Sequence, residues 1–228
     1  MVRSLARLEH MRSLELSGVA ASLTSELSSS ISRMSCLVRL GLEMERGADA
    51  ALDLESINRP PRKLRKLDFS GRLTRGKLPS WTCSLTSLVQ LRLFHCDIAQ
   101  DSLLLLAELP GLVNLSLIAA YCDRNMTFSN GSFPNLQKLT LRNLPNLTSI
   151  EFQQGCLLNL RDMVLGRCTE LTEAPEGMEN LIHLKNLELF RMPPDFVHKL
   201  KGKNGDAGCI RVNSVFRWAP KLEMGMKK

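Results

Sequence analysis

The stretch Leu109-Pro-Gly-Leu112-Val-Asn-Leu115-Ser-Leu117-Ile-Ala119 decides the fold, because its spacing of leucines returns before and after it at a fixed interval. With Leu115 as the marker, the equivalent position is Leu14, Leu40, Leu67, Leu91, Leu139, Met163 and Leu187. In chain order the steps between the eight markers are 26, 27, 24, 24, 24, 24 and 24 residues. A period held that closely is structural, since one inserted residue would displace the whole apolar ladder of a stacked coil. Each marker sits in the pattern apolar-x-x-apolar-x-x-Leu-x-Leu, as in Leu85/Leu88/Leu91/Leu93, Phe133/Leu136/Leu139/Leu141 and Leu181/Leu184/Leu187/Leu189.

The terminal Leu-x-Leu has a period of two and predicts a short strand with one buried and one exposed face. No single coil of this length covers its own apolar side, whereas stacked coils do so by laying their strands side by side. Burying one leucine contributes roughly 1.5 to 3 kcal/mol, so a few ladder positions per coil hold the stack. The expected fold is therefore an α/β leucine-rich repeat solenoid, a curved horseshoe. A parallel β-sheet lines its concave face, and irregular or short helical segments form the convex side. Residues 1–192 make up about eight repeats, with a period of 24 from residue 67, and 193–228 form a capping segment and basic tail.

The bulk numbers agree with one solenoid domain. Of the 228 residues 44% are hydrophobic and only 5% aromatic, as a leucine-built core requires. The longest aliphatic run, Leu103 to Ala107, lies between acids and is far too short for a membrane span. The first ten residues lack the apolar run of a secretory signal. No polar cap precedes Leu8, Met11, Leu14 and Leu16, so the chain reads as the remainder of a longer one. Seven cysteines, an odd number with no pair at metal spacing, point to a reducing, cytoplasmic compartment. Cys96 and Cys168 each fall five residues after a marker, where the coil turns inward, and are expected to be buried structural thiols.

Along the chain, Leu23 to Ile31 repeats its apolar positions every four residues and predicts a short convex helix. Gly47 to Ser56 is expected to extend the second coil as a surface loop. Residues 59–77 hold eight Lys or Arg against one Asp, and the tail from Pro193 eight against three acids, so the basic charge is localised. Gly71 to Lys77 satisfies the first seven positions of a phosphate-binding loop. Leu78 then stands where Ser or Thr should ligate magnesium, and Pro79 blocks the helix that must open there, which excludes nucleotide binding. Asp195 to Leu200 predicts one amphipathic helix, and Ile210-Arg-Val212 a last edge strand that closes the stack.

The usual catalytic constellations are missing. The four histidines are scattered, and neither His-Glu-x-x-His nor Gly-x-Ser-x-Gly occurs. The sequence therefore predicts a non-catalytic protein without cofactor or metal. The informative surface is the exposed face of the sheet, built from the x positions around each Leu-x-Leu. Arg92, Phe94, His95, Ile118 and Arg142 come together there from three adjacent coils, and Phe190 stands at the equivalent place further along. Aromatic and arginine side chains side by side are the usual material of binding hot spots. At about 4.8 Å per strand, eight strands give a face of roughly 35 Å, wide enough for a protein and too shallow for a small-molecule substrate. With one Tyr and two Trp there is little for bases to stack on, which disfavours nucleic acid.

Beyond the period, the wording of the repeats is recognisable. Gly76-Lys-Leu-Pro-Ser-Trp81, Leu141-Arg-Asn-Leu-Pro-Asn-Leu, Ile150-Glu-Phe-Gln-Gln-Gly155, Cys168-Thr-Glu-Leu-Thr-Glu-Ala-Pro-Glu-Gly-Met and Met192-Pro-Pro-Asp-Phe-Val resemble the C-terminal leucine-rich repeats of plant NB-LRR disease resistance proteins. That family joins a coiled-coil domain and an NB-ARC nucleotide switch to such repeats. The resemblance implies a module of plant innate immunity that senses pathogen effectors or modified (guarded) host proteins and regulates the NB-ARC switch. The implied partners are thus a pathogen effector, a guarded host protein or the NB-ARC domain. An alternative is a scaffold or substrate adaptor of a ubiquitin ligase, although no F-box-like segment precedes the repeats.

Overall fold

The computed structural model describes residues 8–45, 51–204 and 215–217, with side chains described through residue 200. Eight strands form one parallel sheet: β1 (Ser13–Val19), β2 (Arg39–Met44), β3 (Lys66–Ser70), β4 (Gln90–Phe94), β5 (Asn114–Ile118), β7 (Lys138–Arg142), β9 (Asp162–Gly166) and β10 (Asn186–Phe190). Two further strands, β6 (Asn125–Phe128) and β8 (Ser149–Phe152), pair with each other in a small second sheet. The eight markers stand side by side in register, Leu14 against Leu40, Leu40 against Leu67, and so on to Met163 against Leu187. The expected parallel solenoid is what the chain forms.

Register follows from the period. With 24 residues per coil, every coil returns the same side chain to the same height, and both leucines of each Leu-x-Leu from β2 to β10 point inward and are buried. The apolar positions ahead of each strand, such as Leu85 and Leu88 or Leu181 and Leu184, are buried with them in one continuous core. Cys96, Cys156 and Cys168 are fully buried in it. Burial pushes the Cys96 thiol up to about 12 and that of Cys156 to about 11, and raises that of Cys168 as well. Six cysteines among the described residues are free, and Cys209 lies outside them.

Short elements line the convex side. The helix Thr24–Ile31 buries Leu27 and Ile31, as the four-residue spacing predicts, and the helix Gln100–Ala107 buries Leu103 and Leu106. Turns of 3-10 helix occupy Ser80–Ser84 and Met178–Asn180. Coils are pinned to one another by side chains reaching to the carbonyl of the previous coil. Asn135 Nδ2 donates to the Pro110 oxygen at 2.9 Å, and one period later Asn159 Nδ2 donates to the Pro134 oxygen at 2.7 Å. Gly177, in left-handed conformation at φ 70°, passes so close to the Phe152 carbonyl that a Cβ there would collide with its oxygen.

The structure corrects one reading and leaves another outside the described residues. The described part of the Gly47 to Ser56 segment is core wall: Leu52 and Leu54 are 3% and 1% exposed, Leu52 bridges Leu73, and Trp81 Nε1 donates to the Leu54 carbonyl at 2.8 Å. An apolar Leu-Asp-Leu with period two carried that signal, and the neighbouring Ala and Asp residues masked it. Ile210 to Val212 lies outside the described residues, and the described closing strand is β11 (Val215–Arg217), which runs antiparallel to β10. Ahead of it the helix Pro194–Asn204 drives Phe196 and Leu200 into the same core. Residues 71–77 include a 3-10 turn at Thr74–Gly76, and Lys77 is followed directly by extended backbone, with the next 3-10 turn opening only at Ser80.

Candidate functional site

Because successive strand residues alternate faces, the residues between the ladder leucines form straight columns across the sheet. The third position after each marker gives the row Ser70, Phe94, Ile118, Arg142, Gly166 and Phe190, each paired with the next in register. Four of the six predicted residues, Phe94, Ile118, Arg142 and Phe190, thus stand in single file, all half-buried. Arg92 is exposed two residues before Phe94 on the same strand face, and His95 is exposed just beyond the end of β4. The structure brings Arg92, Phe94, Ile118, Arg142 and Phe190 onto one face of the sheet in two groups, one on β4 and β5 and one on β7 and β10, and leaves His95 in the turn that follows β4.

The groups differ in electrostatics. Arg92 is clamped by Asp68 of the preceding coil, with Nε 2.7 Å from Oδ1 and Nη2 2.5 Å from Oδ2. That bidentate bond holds the guanidinium above its ordinary proton affinity. Arg39 makes the same coil-to-coil contact with Glu15 at 3.3 Å. At the other end, Arg142 lies over the Phe190 ring at 5.2 Å, together with Arg167 at 5.4 Å and Arg191 at 5.3 Å. Among the described residues the ion pairs join Arg39 to Glu15, Arg72 to Asp97, Arg92 to Asp68 and Lys199 to Glu173. None involves the three arginines around Phe190.

Two local features build this cluster. Arg142 and Phe190 sit two strands apart, about 10 Å at the usual spacing, and they meet only because Gly166 between them has no side chain. A Cβ at Gly166 would come within 3.3 Å of the Phe190 Cβ and 3.5 Å of the Arg142 Cγ. The second feature is a ladder of left-handed residues just past the strands: His95, Ala119, Asn143, Arg167 and Arg191, with φ between 49° and 55°. The first four turn the backbone so that their N–H donates to the neighbouring coil's carbonyl, as His95 does to Ile118 and Arg167 to Phe190. Arg167 and Arg191 belong to the site although sequence reasoning passed over them. Their signal was available, since both follow a row residue directly and lie 24 residues apart.

The surface is an open sheet face with a broad hollow at its first four strands, lined by Glu15, Gly41, Asp68, Arg92 and Phe94 among others. Among the described residues there is no group of three or more His, Cys, Asp or Glu that could hold a metal ion. No described helix is long and apolar enough to cross a membrane. Such a face offers shape, aromatic area and charge, which are the means of protein recognition.

Comparison with known proteins agrees with this architecture. The family described as leucine-rich repeat region matches residues 1–192. Among curated proteins, the chain is similar to Disease resistance protein RPM1 of Arabidopsis thaliana, with 31% identity over 152 residues, covering 67% of this chain and 16% of that protein. It is similar to Disease resistance RPP8-like protein 3 of the same plant, 28% identical over 142 residues, covering 62% of this chain and 16% of the relative. Disease resistance protein RPP8 matches at 27% identity over 138 residues, 60% of this chain and 15% of its own length. The chain thus spans about one sixth of the length of the curated relatives it matches.

Proposed function

The chain belongs to the leucine-rich repeat region family, and from that premise we propose that it is a non-catalytic recognition module of plant immunity. In this reading it works in the cytoplasm, where its free thiols are stable, and senses a pathogen effector or a modified host protein. It also regulates an NB-ARC switch, and residues 193–228 cap the stack. The observation that carries the reading is the register-locked row Phe94, Ile118, Arg142 and Phe190, flanked by Arg92 and His95. Aromatic and arginine side chains are held there on rigid strands. Anchors whose rotamers are already fixed lose little entropy on binding, which is what a recognition surface needs.

The test is a display selection of pathogen-secreted and host cytoplasmic proteins against the purified chain, followed by alanine substitution of Arg92, Phe94, His95, Ile118, Arg142 and Phe190 together. Binders are expected to compete with one another and to weaken at least about tenfold, or about 1.4 kcal/mol, on the substituted chain. Binding that survives all six changes overturns the concave-face assignment. The regulatory half is tested by size-exclusion chromatography with light scattering of the chain mixed with the NB-ARC domain of RPM1. A stoichiometric complex is expected, and two independent peaks overturn it.

A further inference from the structure

We propose that Arg142, Arg167 and Arg191, gathered on the ring of Phe190, form an anion site that receives the carboxylates of an acidic segment of the partner protein. The inference rests on the recognition reading and adds the chemistry of what is recognised. Elsewhere on the sheet, arginines come with an acid one coil back. Arg39 has Glu15 and Arg92 has Asp68, both at a separation of 24 residues. Those arginines lock neighbouring coils together. The three around Phe190 have no such partner, and their guanidinium carbons all lie within 5.4 Å of one ring centroid. Three like charges so close repel one another, and the attraction of the ring's negative face offsets only part of that cost. A carboxylate between them removes the repulsion and takes up the N–H edges that stacking on the ring leaves open.

The backbone supports the same assignment. The left-handed conformation just past each strand belongs to the fold, since Ala119 and Asn143 share it. Arginine on two successive coils does not follow from the fold, and neither does the missing side chain at Gly166 that lets Arg142 join them. An acidic protein segment fits better than a nucleic acid. Three guanidiniums already lie within 5.4 Å of the Phe190 ring centroid, where a base would have to stack. Glu188, exposed two residues earlier on the same face, would repel a continuous phosphate backbone while tolerating one or two carboxylates.

The experiment is fluorescence anisotropy with a labelled octaglutamate peptide, with a labelled oligothymidylate in parallel, at low and at physiological salt. The Arg142→Gln/Arg167→Gln/Arg191→Gln chain is expected to bind the peptide at least about tenfold more weakly than wild type. A control with the same charge loss, Arg62→Gln/Lys63→Gln/Arg65→Gln, should change binding by no more than about twofold. Phe190→Leu, which keeps the arginines and removes the ring that positions them, should cost about threefold. Equal loss in both triple variants would reduce the effect to net charge and overturn the site. Oligothymidylate bound as tightly as the peptide and lost in the same triple would overturn the acidic-protein assignment. If wild type ignores the peptide while display-selected binders still fail on the six-alanine chain, the anion site falls and the recognition surface stands. If those binders are indifferent as well, the recognition reading itself falls.

Discussion

The left-handed ladder mixes residues suited to it with others that are not. Asn143 adopts φ 53° readily, whereas Ala119 at 49° crowds its Cβ against the backbone. Ala119→Gly is therefore expected to stabilise the chain by about 0.5 to 1 kcal/mol in urea unfolding, because the relieved strain exceeds the added freedom of the unfolded chain. Gly177→Ala should do the reverse by about 2 kcal/mol or more, since its Cβ would meet the Phe152 carbonyl. The cysteines give a second residue-scale test. Cys83 and Cys122 are exposed and should react with a thiol reagent in the folded chain, while Cys96, Cys156 and Cys168 should react only on unfolding. Their raised proton affinity has a definite sign. The unfolded chain ionises these thiols near 9 while the folded one keeps Cys96 neutral to about 12, so their contribution is whole below pH 9 and is lost as pH climbs toward 12. Urea midpoints measured across that window should fall, and Cys96→Ala should flatten the fall.

At the scale of the element, Gly166 decides whether β7 and β10 touch across β9. Gly166→Val places branched carbons where Arg142 and Phe190 meet, so it should displace the guanidinium, cost about 1 to 3 kcal/mol by overpacking, and weaken octaglutamate binding. A crystal structure of the variant and its unfolding curve check both halves. The strands themselves were legible in the sequence, because a large apolar pair one residue apart, Leu-x-Leu in six of the eight markers, leaves no other period to fit. The small sheet was harder to read. Met126 and Phe128 recur as Ile150 and Phe152 after 24 residues, yet two coils with four-residue strands make a thin signal beside the main ladder. Arg167 and Arg191 were harder to read for a different reason, although their 24-residue spacing was there to see. They lie one residue beyond the alternating segment, and the direction of a side chain there depends on a positive φ that composition does not announce in arginine. The row Phe94, Ile118, Arg142 and Phe190 was readable because it obeys the alternation. What the alternation could not show was the Asp68 clamp on Arg92, which depends on both side chains leaning across the gap between coils.

Across the whole molecule, stability is a sum of coils and of the interfaces between them, since each coil contacts chiefly its two neighbours. Removing residues 114–137, one complete period that starts at β5, should leave a folded, shorter stack with a proportionately smaller urea m-value. Removing half a period, residues 114–125, should abolish cooperative unfolding, because every later leucine would lose register with the strand before it. Circular dichroism with urea titration separates the two outcomes. The hydrogen bonds of the main sheet run along the axis of the stack, from one coil to the next. Pulled by its two ends, the protein should therefore yield like a zip rather than a rod, with tension reaching one interface at a time. Each released coil pays out its 24 residues at about 3.4 Å apiece, or roughly 80 Å of slack, and in a force-extension trace the solenoid should act as a low-force, stepwise spring.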